Sequence, residues 1–410
     1  MPKLRLVAIV TAIILVISLG GLVGCQTTTA ETTAAATVAE TTAAATVAET
    51  TAAETAAVTV AEGEVLKFWV EGADGRKEMS IPIPKPEDIK PIKYASGSIG
   101  NRTDGSWCQG IYNGYLAIKG KYPQVEITFT DAIPFGDFPT WLNLQAESGA
   151  SLFYLDSAQT WQEALQEVSP NTVGKCNYFT PGTSYSEITQ LAENVAGMER
   201  AQWETAFLCG IAAGMVTKSN TIGFVGGVDY PELIRKLSAW EIGAKVVNPD
   251  IKSVFAWIGS WIDIGKGYET TVAVINEGAD VIMEHADDSG KGVMQACTDN
   301  KVYAVGFASD RLPESPDYVI TTALVDHEQL MEYALWINDA GIAEQVSYQF
   351  TIKEGWRGIS PFTNVSQDVT DMVNKYKQMI IDGTIVIPNL PEVENLGTLN
   401  PADYGIPTEY

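Results

Sequence analysis

The stretch that decides the fold runs from residue 221 to residue 250 and reads TIGFVGGVDYPELIRKLSAWEIGAKVVNPD. Residues 221–227 form an apolar run that ends in glycines, which predicts a buried strand followed by a tight loop. Residues 231–244 have the apolar spacing of a helix, and Asn248-Pro249-Asp250 predicts the turn that ends it. A strand, a loop and a helix in this order form the repeating unit of an α/β fold.

The same alternation continues on both sides of this stretch. Upstream, it predicts strands at residues 92–98 and 125–129 with a helix at 107–119 between them. Downstream, the predicted strands are 253–258, 280–284, 302–307 and 318–321, and the predicted helices are 265–276 and 289–298. We therefore predict an α/β protein whose parallel sheets are covered by helices and whose ligand binds beyond the carboxyl ends of the strands.

The composition excludes several classes of function. The 410 residues include 26 Lys+Arg against 51 Asp+Glu, a formal net charge of −25, so the clustered cations that nucleic-acid binding needs are absent. Two histidines and five scattered cysteines without a Cys-x-x-Cys pair argue against a structural zinc site. We expect neither metal nor cofactor. Four of the cysteines allow three disulfide connectivities, but we favour free, mostly buried thiols: Cys108, Cys176, Cys209 and Cys297.

The N-terminus has the pattern of an export signal. Lys3 and Arg5 precede a mostly apolar run at residues 6–17, which is too short for a comfortable membrane span. Leu22-Val23-Gly24-Cys25 resembles a bacterial lipobox, which implies a signal peptide at 1–24 and a lipid on Cys25. The lipid would hold the protein at the extracytoplasmic face of the cell membrane. A plain secretory signal or an uncleaved anchor is the alternative.

Residues 25–63 are predicted to be a disordered tether. They consist almost entirely of Thr, Ala, Val and Glu, and the unit ETTAAATVA starts at Glu31 and repeats at Glu40. A segment without large apolar side chains cannot bury enough surface to offset the entropy of ordering. The folded domain is therefore expected at residues 64–410.

Motifs of catalysis are missing from the folded part. Asp288-Ser289-Gly290-Lys291-Gly292 lacks the spacing of a phosphate loop, and no Gly-x-Ser-x-Gly motif is present. The adjacent acids Asp287 and Asp288 are interpreted as one that faces a ligand and one that is solvated. We predict no catalytic residue and no enzyme.

Aromatic and acidic side chains follow successive predicted strands. Trp261 and Asp263 come after one strand, His285 and Asp287 after the next, and Asp310 after the one beyond. An indole stacks on a flat π-system, and carboxylates accept N–H donors. The pattern predicts a pocket for a flat, nitrogen-rich ligand.

The order of these segments resembles the basic membrane protein (BMP, PnrA-like) family, whose similarity to this chain covers roughly residues 94–387. The resemblance rests on these segments: Ile222–Gly227, Pro231–Arg235, Gly243-Ala244-Lys245, Asn248–Ile251, Trp261-Ile262-Asp263, Gly278–Ile282, His285-Ala286-Asp287 and Gly306–Asp310. It implies a type I periplasmic-binding-protein fold with two Rossmann-like lobes joined by hinge crossovers. Lobe 1 is expected at about 65–193 with a return segment near 318–345, and lobe 2 at about 204–310 with part of the C-terminal region.

The resemblance also implies function and site residues. Members are extracytoplasmic lipoproteins that capture purine bases or nucleosides for ABC importers, which makes an ABC permease and a purine ligand the expected partners of a monomer. A lipoprotein that presents the same ligand to a receptor, and a purine-processing hydrolase, are the alternatives. The ligand-binding residues that it implies are Trp107, Asn194, Trp261, Asp263, His285, Asp287 and Asp310.

Two departures from the family pattern bear on the ligand. Many nucleoside-binding members have an aspartate where this chain has Ala308, and a lysine near the position of Val325. Both groups suit a ribose. Their replacement by apolar residues favours a free purine base or a related heterocycle.

Overall fold

Two lobes, each built on a largely parallel sheet, make up the part of the chain that the computed structural model describes, residues 65–356, 358–390 and 396–409. The predicted signal peptide, Cys25 and the predicted tether lie outside the described residues. Among the described residues, no helix is both long enough and apolar enough to cross a membrane.

Residues 65–200 contain seven strands and four helices. In chain order they are β1 (Val65–Gly72), β2 (Gly75–Pro82), β3 (Ile92–Gly97), α1 (Trp107–Lys121), β4 (Val125–Thr130), α2 (Phe138–Glu147), β5 (Leu152–Tyr154), α3 (Ala158–Val168), β6 (Asn177–Pro181), α4 (Tyr185–Ile188) and β7 (Val195–Arg200).

Residues 202–381 contain the remaining strands and helices. In chain order they are α5 (Gln202–Val216), β8 (Thr221–Gly226), α6 (Pro231–Val247), β9 (Lys252–Trp257), α7 (Ile264–Asn276), β10 (Val281–His285), α8 (Ser289–Asn300), β11 (Tyr303–Ala308), β12 (Val319–Leu324), α9 (His327–Asp339), β13 (Ser347–Phe350) and α10 (Gln367–Ile381).

The strand order explains how the two lobes are connected. Lobe 1 has the order β2-β1-β13-β7-β6-β5-β3-β4, in which only β1 pairs antiparallel with its neighbours. Lobe 2 has the order β12-β11-β10-β8-β9, and all of its pairs are parallel. The chain passes between the lobes after β7, after β12 and after β13, which is the arrangement of a hinge with several crossovers.

The predicted strands and helices of both lobes are confirmed, with ends that differ by a few residues. The helix predicted at 231–244 extends to Val247 as α6, and it is buried along most of its length against α5. Glycines make this approach possible, because a Cβ on Gly243 would lie 2.0 Å from the carbonyl oxygen of Phe207. A Cβ on Gly210 of α5 would similarly lie 2.2 Å from the carbonyl oxygen of Trp240.

The predicted lobe boundaries need two corrections. The strand β7 belongs to the lobe 1 sheet, so lobe 1 extends to Arg200 instead of 193. The strand β12 belongs to the lobe 2 sheet, so the return segment begins only at α9. The reason is that β12 follows β11 through a short connection and pairs beside it, as consecutive strands commonly do.

The C-terminal segment packs on lobe 2. Ile387 and Ile406 are buried in the lobe 2 core. The backbone N–H of Gly397 donates to Glu241 of α6, 2.7 Å away, and Lys245 donates to the Gly397 carbonyl at 2.8 Å. The four cysteines in the described residues are free and buried, as expected.

Candidate functional site

A cavity of about 270 Å³ lies between the lobes, beyond the carboxyl ends of the parallel strands. Both lobes line it. The lining residues that carry polar or aromatic groups include Ser98, Asp104, Trp107, Asp156, Tyr230, Glu232, Trp261, His285, Asp287 and Asp288. No lysine or arginine of the described chain lines this cavity, so its charged lining groups are all acids.

Asp104 holds the loop that leads into α1. Its carboxylate accepts backbone N–H groups from Ser106 at 2.8 Å, Cys108 at 2.9 Å and Gln109 at 3.0 Å. These donors belong to the first turn of the helix, where backbone N–H groups have no partner within the helix. Burial raises the pKa of Asp104, and the three backbone donors oppose that rise.

Asp156 follows β5 and is equally well bonded. It accepts the Ser98 hydroxyl at 2.6 Å, the Ile99 backbone N–H at 2.8 Å and the indole N–H of Trp161 at 3.3 Å. Burial raises its pKa to about 6 despite these donors. The carboxylate therefore ties β3, β5 and α3 together at the cavity wall.

Trp107 is the first residue of α1 and presents an aromatic face from lobe 1. Its ring meets His327 edge-on at 4.7 Å between centroids, and the guanidinium of Arg200 lies 4.8 Å from the ring centre. These contacts hold the ring at the hinge end of the cavity. The tryptophan predicted from the family resemblance is thus in the cavity lining.

Trp261 presents a second aromatic face, from lobe 2. It follows β9, and its ring lies directly against the backbone of Gly227 at the end of β8. A Cβ on Gly227 would come within 2.3 Å of that ring. Gly227, the residue after β8, therefore leaves room for this indole.

His285 ends β10 and is buried beside Trp261. Its ring packs against Phe307 at a tilt of 33°, with 3.6 Å between centroids, and Nδ1 lies 2.8 Å from the Lys236 side-chain nitrogen. Burial, Lys236 and Arg200 all lower the pKa of His285 well below its usual value. The imidazole is therefore neutral at physiological pH.

Asp287 differs from the other acids because its carboxylate atom Oδ1 is buried without a hydrogen-bond partner in the described chain. Its backbone has φ of 48°, a left-handed conformation that is uncommon for aspartate and typical of functional loops. Arg311 donates to its carbonyl oxygen at 2.9 Å and holds that conformation. Burial, together with Asp104 and Glu284, raises the pKa of Asp287 well above its usual value.

Three predicted site residues lie outside the cavity. Asn194 precedes β7 at the amino end of the lobe 1 strands, where it donates to the carbonyls of Cys176 and Ser169. Amino ends and carboxyl ends lie at opposite edges of a parallel sheet, so Asn194 does not reach the lining.

The other two are helix or turn caps on lobe 2. Asp263 caps α7 by accepting the Lys266 backbone N–H at 3.0 Å. Asp310 is exposed and accepts from the backbone of Leu312, because Ala308, with φ of 66°, turns the chain after β11. Neither side chain lines the cavity.

The sequence reasoning missed four residues of the cavity lining, three acids and one tyrosine: Asp104, Asp156, Glu232 and Tyr230. Polar residues just after a parallel strand are expected to line the ligand site, which we call the strand-end rule. This rule could have found Asp156, because it comes two residues after β5. Asp104 lies three residues before Trp107, which the resemblance implies as a site residue. No local pattern marks Glu232, whose carboxylate lies 3.5 Å from both Arg200 and Lys236.

The arrangement brings together groups that can bind a ligand. The two indoles offer flat faces, Asp287 offers an acceptor, and His285 is a neutral ring. No group of three or more potential metal ligands occurs among the residues that the structure describes. Such a lining is suited to a flat ligand with several N–H donors.

Comparison with known proteins identifies the family. The family model described as ABC transporter substrate-binding protein PnrA-like matches residues 93–391. A purine-binding protein of Brucella abortus is 29% identical over 209 residues, a match that spans 50% of this chain and 57% of that protein. A putative ABC transporter glucose-binding protein of Haloferax volcanii is 25% identical over 300 residues, 72% of this chain and 74% of that protein.

A solved structure shows the same fold. The solute-binding protein of an ABC transporter system from Aeropyrum pernix superposes with a TM-score of 0.62 at 21% identity, covering 73% of this chain and 94% of that one. The fold, the family match over most of the chain and the interlobe cavity agree with the resemblance seen in the sequence. This chain belongs to the PnrA-like family of ABC transporter substrate-binding proteins.

Proposed function

We propose that this protein binds a purine base in the cavity between its lobes and delivers it to an ABC permease. The observation that carries the proposal is the unpartnered carboxylate oxygen of Asp287 in a cavity that Trp261 also lines and to which the described residues contribute no lysine or arginine. A buried carboxylate without a donor is costly, and a ligand with N–H groups would supply that donor. The Brucella relative is named for purine binding.

A free base is preferred to a nucleoside in this proposal. Ala308 and Val325, which replace an acid and a lysine of many family members, are buried, and their backbones pair at 2.8 Å. Neither side chain lines the cavity, so neither position offers a polar group to a ribose. Ribose hydroxyls that lose water without gaining partners cost roughly 1–3 kcal/mol each.

Calorimetric titration of ligand-stripped protein tests the ligand class. We expect adenine or guanine to bind at least as tightly as the corresponding nucleoside, and glucose to bind far more weakly than either. A nucleoside preference above roughly tenfold, about 1.4 kcal/mol, would contradict the preference for a base. Glucose binding tighter than every purine would contradict the ligand class itself.

The Trp261→Ala variant tests the site. Loss of an aromatic stack on a base should weaken purine binding by about 1–3 kcal/mol, and Trp261→Phe should recover much of it. Trp69→Ala is a matched control, because Trp69 is a half-buried indole of β1 outside the cavity. Unchanged binding in folded Trp261→Ala would place the ligand elsewhere.

We further propose that a lipid on Cys25 holds the protein at the membrane, close to the permease. Cys25→Ser should release the protein from the membrane fraction or block its processing. Retention of the variant at the membrane to the same extent as the parent would exclude the lipid as the anchor.

A further inference from the structure

Lys236 is a buried lysine whose ammonium group lies behind the cavity wall. It belongs to α6, and its side chain is 1% exposed. The ammonium nitrogen lies 2.8 Å from Nδ1 of His285, 3.5 Å from a carboxylate oxygen of Glu232 and 3.7 Å from the centre of the Phe307 ring. Lys236 does not line the cavity, whereas His285 and Glu232 do.

The contacts of Lys236 determine which nitrogen of His285 carries the proton. Burial lowers the pKa of Lys236 well below its usual value, and Arg200 acts in the same direction, whereas the Glu232 carboxylate opposes that change. The face of the Phe307 ring also favours the charged form. An ammonium group has three donors and no acceptor. While Lys236 is charged, Nδ1 of His285 accepts from it, and in a neutral imidazole the proton is then on Nε2.

Within the described part of the chain, the His285 ring makes its hydrogen bond through Nδ1, to Lys236, and none through Nε2. The ring is in the cavity lining. Asp287, two residues further on, has a carboxylate oxygen that also lacks a partner. At the end of β10 the cavity thus has one donor, Nε2–H of His285, and one free acceptor, Oδ1 of Asp287.

We propose that Lys236 is a specificity-determining residue that acts through His285, by fixing the imidazole as an Nε2–H donor beside the Asp287 acceptor. The proposal rests on the cavity being the ligand site proposed above. A matching ligand has a hydrogen-bond acceptor next to an N–H donor. The edge of adenine formed by N7 and the 6-amino group is one such pair.

The tautomer can be measured without any ligand. The sequence has only two histidines, so ¹⁵N-histidine labelling gives two imidazole spin systems, and His285→Gln assigns them. We expect His285 to be neutral with the proton on Nε2 from pH 6 to pH 8. A proton on Nδ1, or an imidazolium at pH 6.5, would overturn the proposal. His327, whose Nδ1 pairs with the Tyr154 hydroxyl at 2.9 Å, is an internal reference.

Lys236→Met tests the effect on binding. It removes the donor to Nδ1, so we expect both tautomers of His285 to be populated. Adenine should then bind about tenfold more weakly, which corresponds to the loss of about one hydrogen bond. Lys245→Met is the matched control, because Lys245 is also buried on α6 and pairs with Glu241 at 2.7 Å, away from the cavity. The control should lose stability but keep the tautomer and the affinity.

The outcomes separate this proposal from the ligand assignment. An unchanged tautomer in folded Lys236→Met would overturn the role of Lys236, whatever the ligand. If Lys236→Met does not fold, Lys236→Arg replaces it as the variant; it keeps a cationic donor and should keep the Nε2–H tautomer. The tautomer of His285 in the parent protein then still tests the proposal. A fixed Nε2–H tautomer in a protein that does not bind purines would refute the ligand class and support the positioning role.

Discussion

The two walls of the cavity use the same residue type in different ways. On the lobe 1 wall, Asp104 and Asp156 each accept three hydrogen bonds from their own lobe. On the lobe 2 wall, the described chain supplies no partner to Oδ1 of Asp287, and within the described chain the His285 ring bonds only through Nδ1, to Lys236. Lobe 1 therefore offers aspartates that hold the structure, and lobe 2 offers groups that remain open to a ligand.

This difference shows that an acid in a cavity lining is not by itself a ligand-binding residue. A carboxylate has about four acceptor positions, and three of them are already used in Asp104 and in Asp156. The acids of lobe 1 set the shape and the negative potential of the cavity. The specific contacts are expected from lobe 2.

The largest effect is expected from Asp104→Ala. The change leaves three backbone N–H groups at the start of α1 without their acceptor, and each buried unpaired donor costs roughly 1–3 kcal/mol. We expect the free energy of unfolding to fall by about 3–4 kcal/mol, measured by chemical denaturation without ligand. Asp263→Ala is the control, because it removes one capping bond and should cost about 1 kcal/mol. Equal losses in both variants would show that the three hydrogen bonds of Asp104 stabilise the fold no more than a single capping bond does.

A smaller effect, confined to binding, is expected from Asp287→Asn. The change replaces a buried carboxyl group, whose ionisation burial opposes, without breaking a side-chain hydrogen bond, so stability should be unchanged or higher. Purine affinity measured by calorimetry should fall about tenfold to a hundredfold, because a hydrogen bond to a charged group is worth roughly 1.5–3 kcal/mol. Asp310→Asn, an exposed acid outside the cavity, should bind like the parent. A marked loss of stability in Asp287→Asn would show that this acid also holds the fold.

The smallest effect concerns the pH dependence that Asp156 imposes on stability. Its pKa is raised to about 6 in the folded protein from an ordinary value of 3.8. The folded state therefore holds this proton more tightly than the unfolded state, and stability falls as pH rises through the interval between the two values. Between pH 5 and pH 7 this loss amounts to about 1 kcal/mol.

Asp156→Asn removes the titrating group and tests this loss. The variant should be less stable overall, because an amide cannot accept all three donors, but its stability should fall less than that of the parent between pH 5 and pH 7. Parallel pH profiles from denaturant titrations of the two proteins would show that Asp156 does not titrate in this range.

Local patterns predicted much of the fold and part of the site. The alternation of apolar runs and helical spacing placed β8, α6 and β9–β12 within a few residues, because burial against a sheet imposes a period along the chain itself. The strand-end rule and the family resemblance placed Trp107, Trp261, His285 and Asp287 in the cavity lining. The same rule failed for Asp310, because a left-handed residue at Ala308 turns the chain away.

Other properties were decided only by the tertiary structure. The amino-acid sequence by itself determined the α/β class, the family and the strand-end loops, since each depends on residues that are close in the chain. The partners of each acid depend on segments that meet only after folding: Asp156 accepts from Ser98, 58 residues away, and Lys236 reaches His285 across 49 residues. Whether a carboxylate is satisfied or free, and which nitrogen of an imidazole is a donor, follows from such contacts, and no local pattern encodes them.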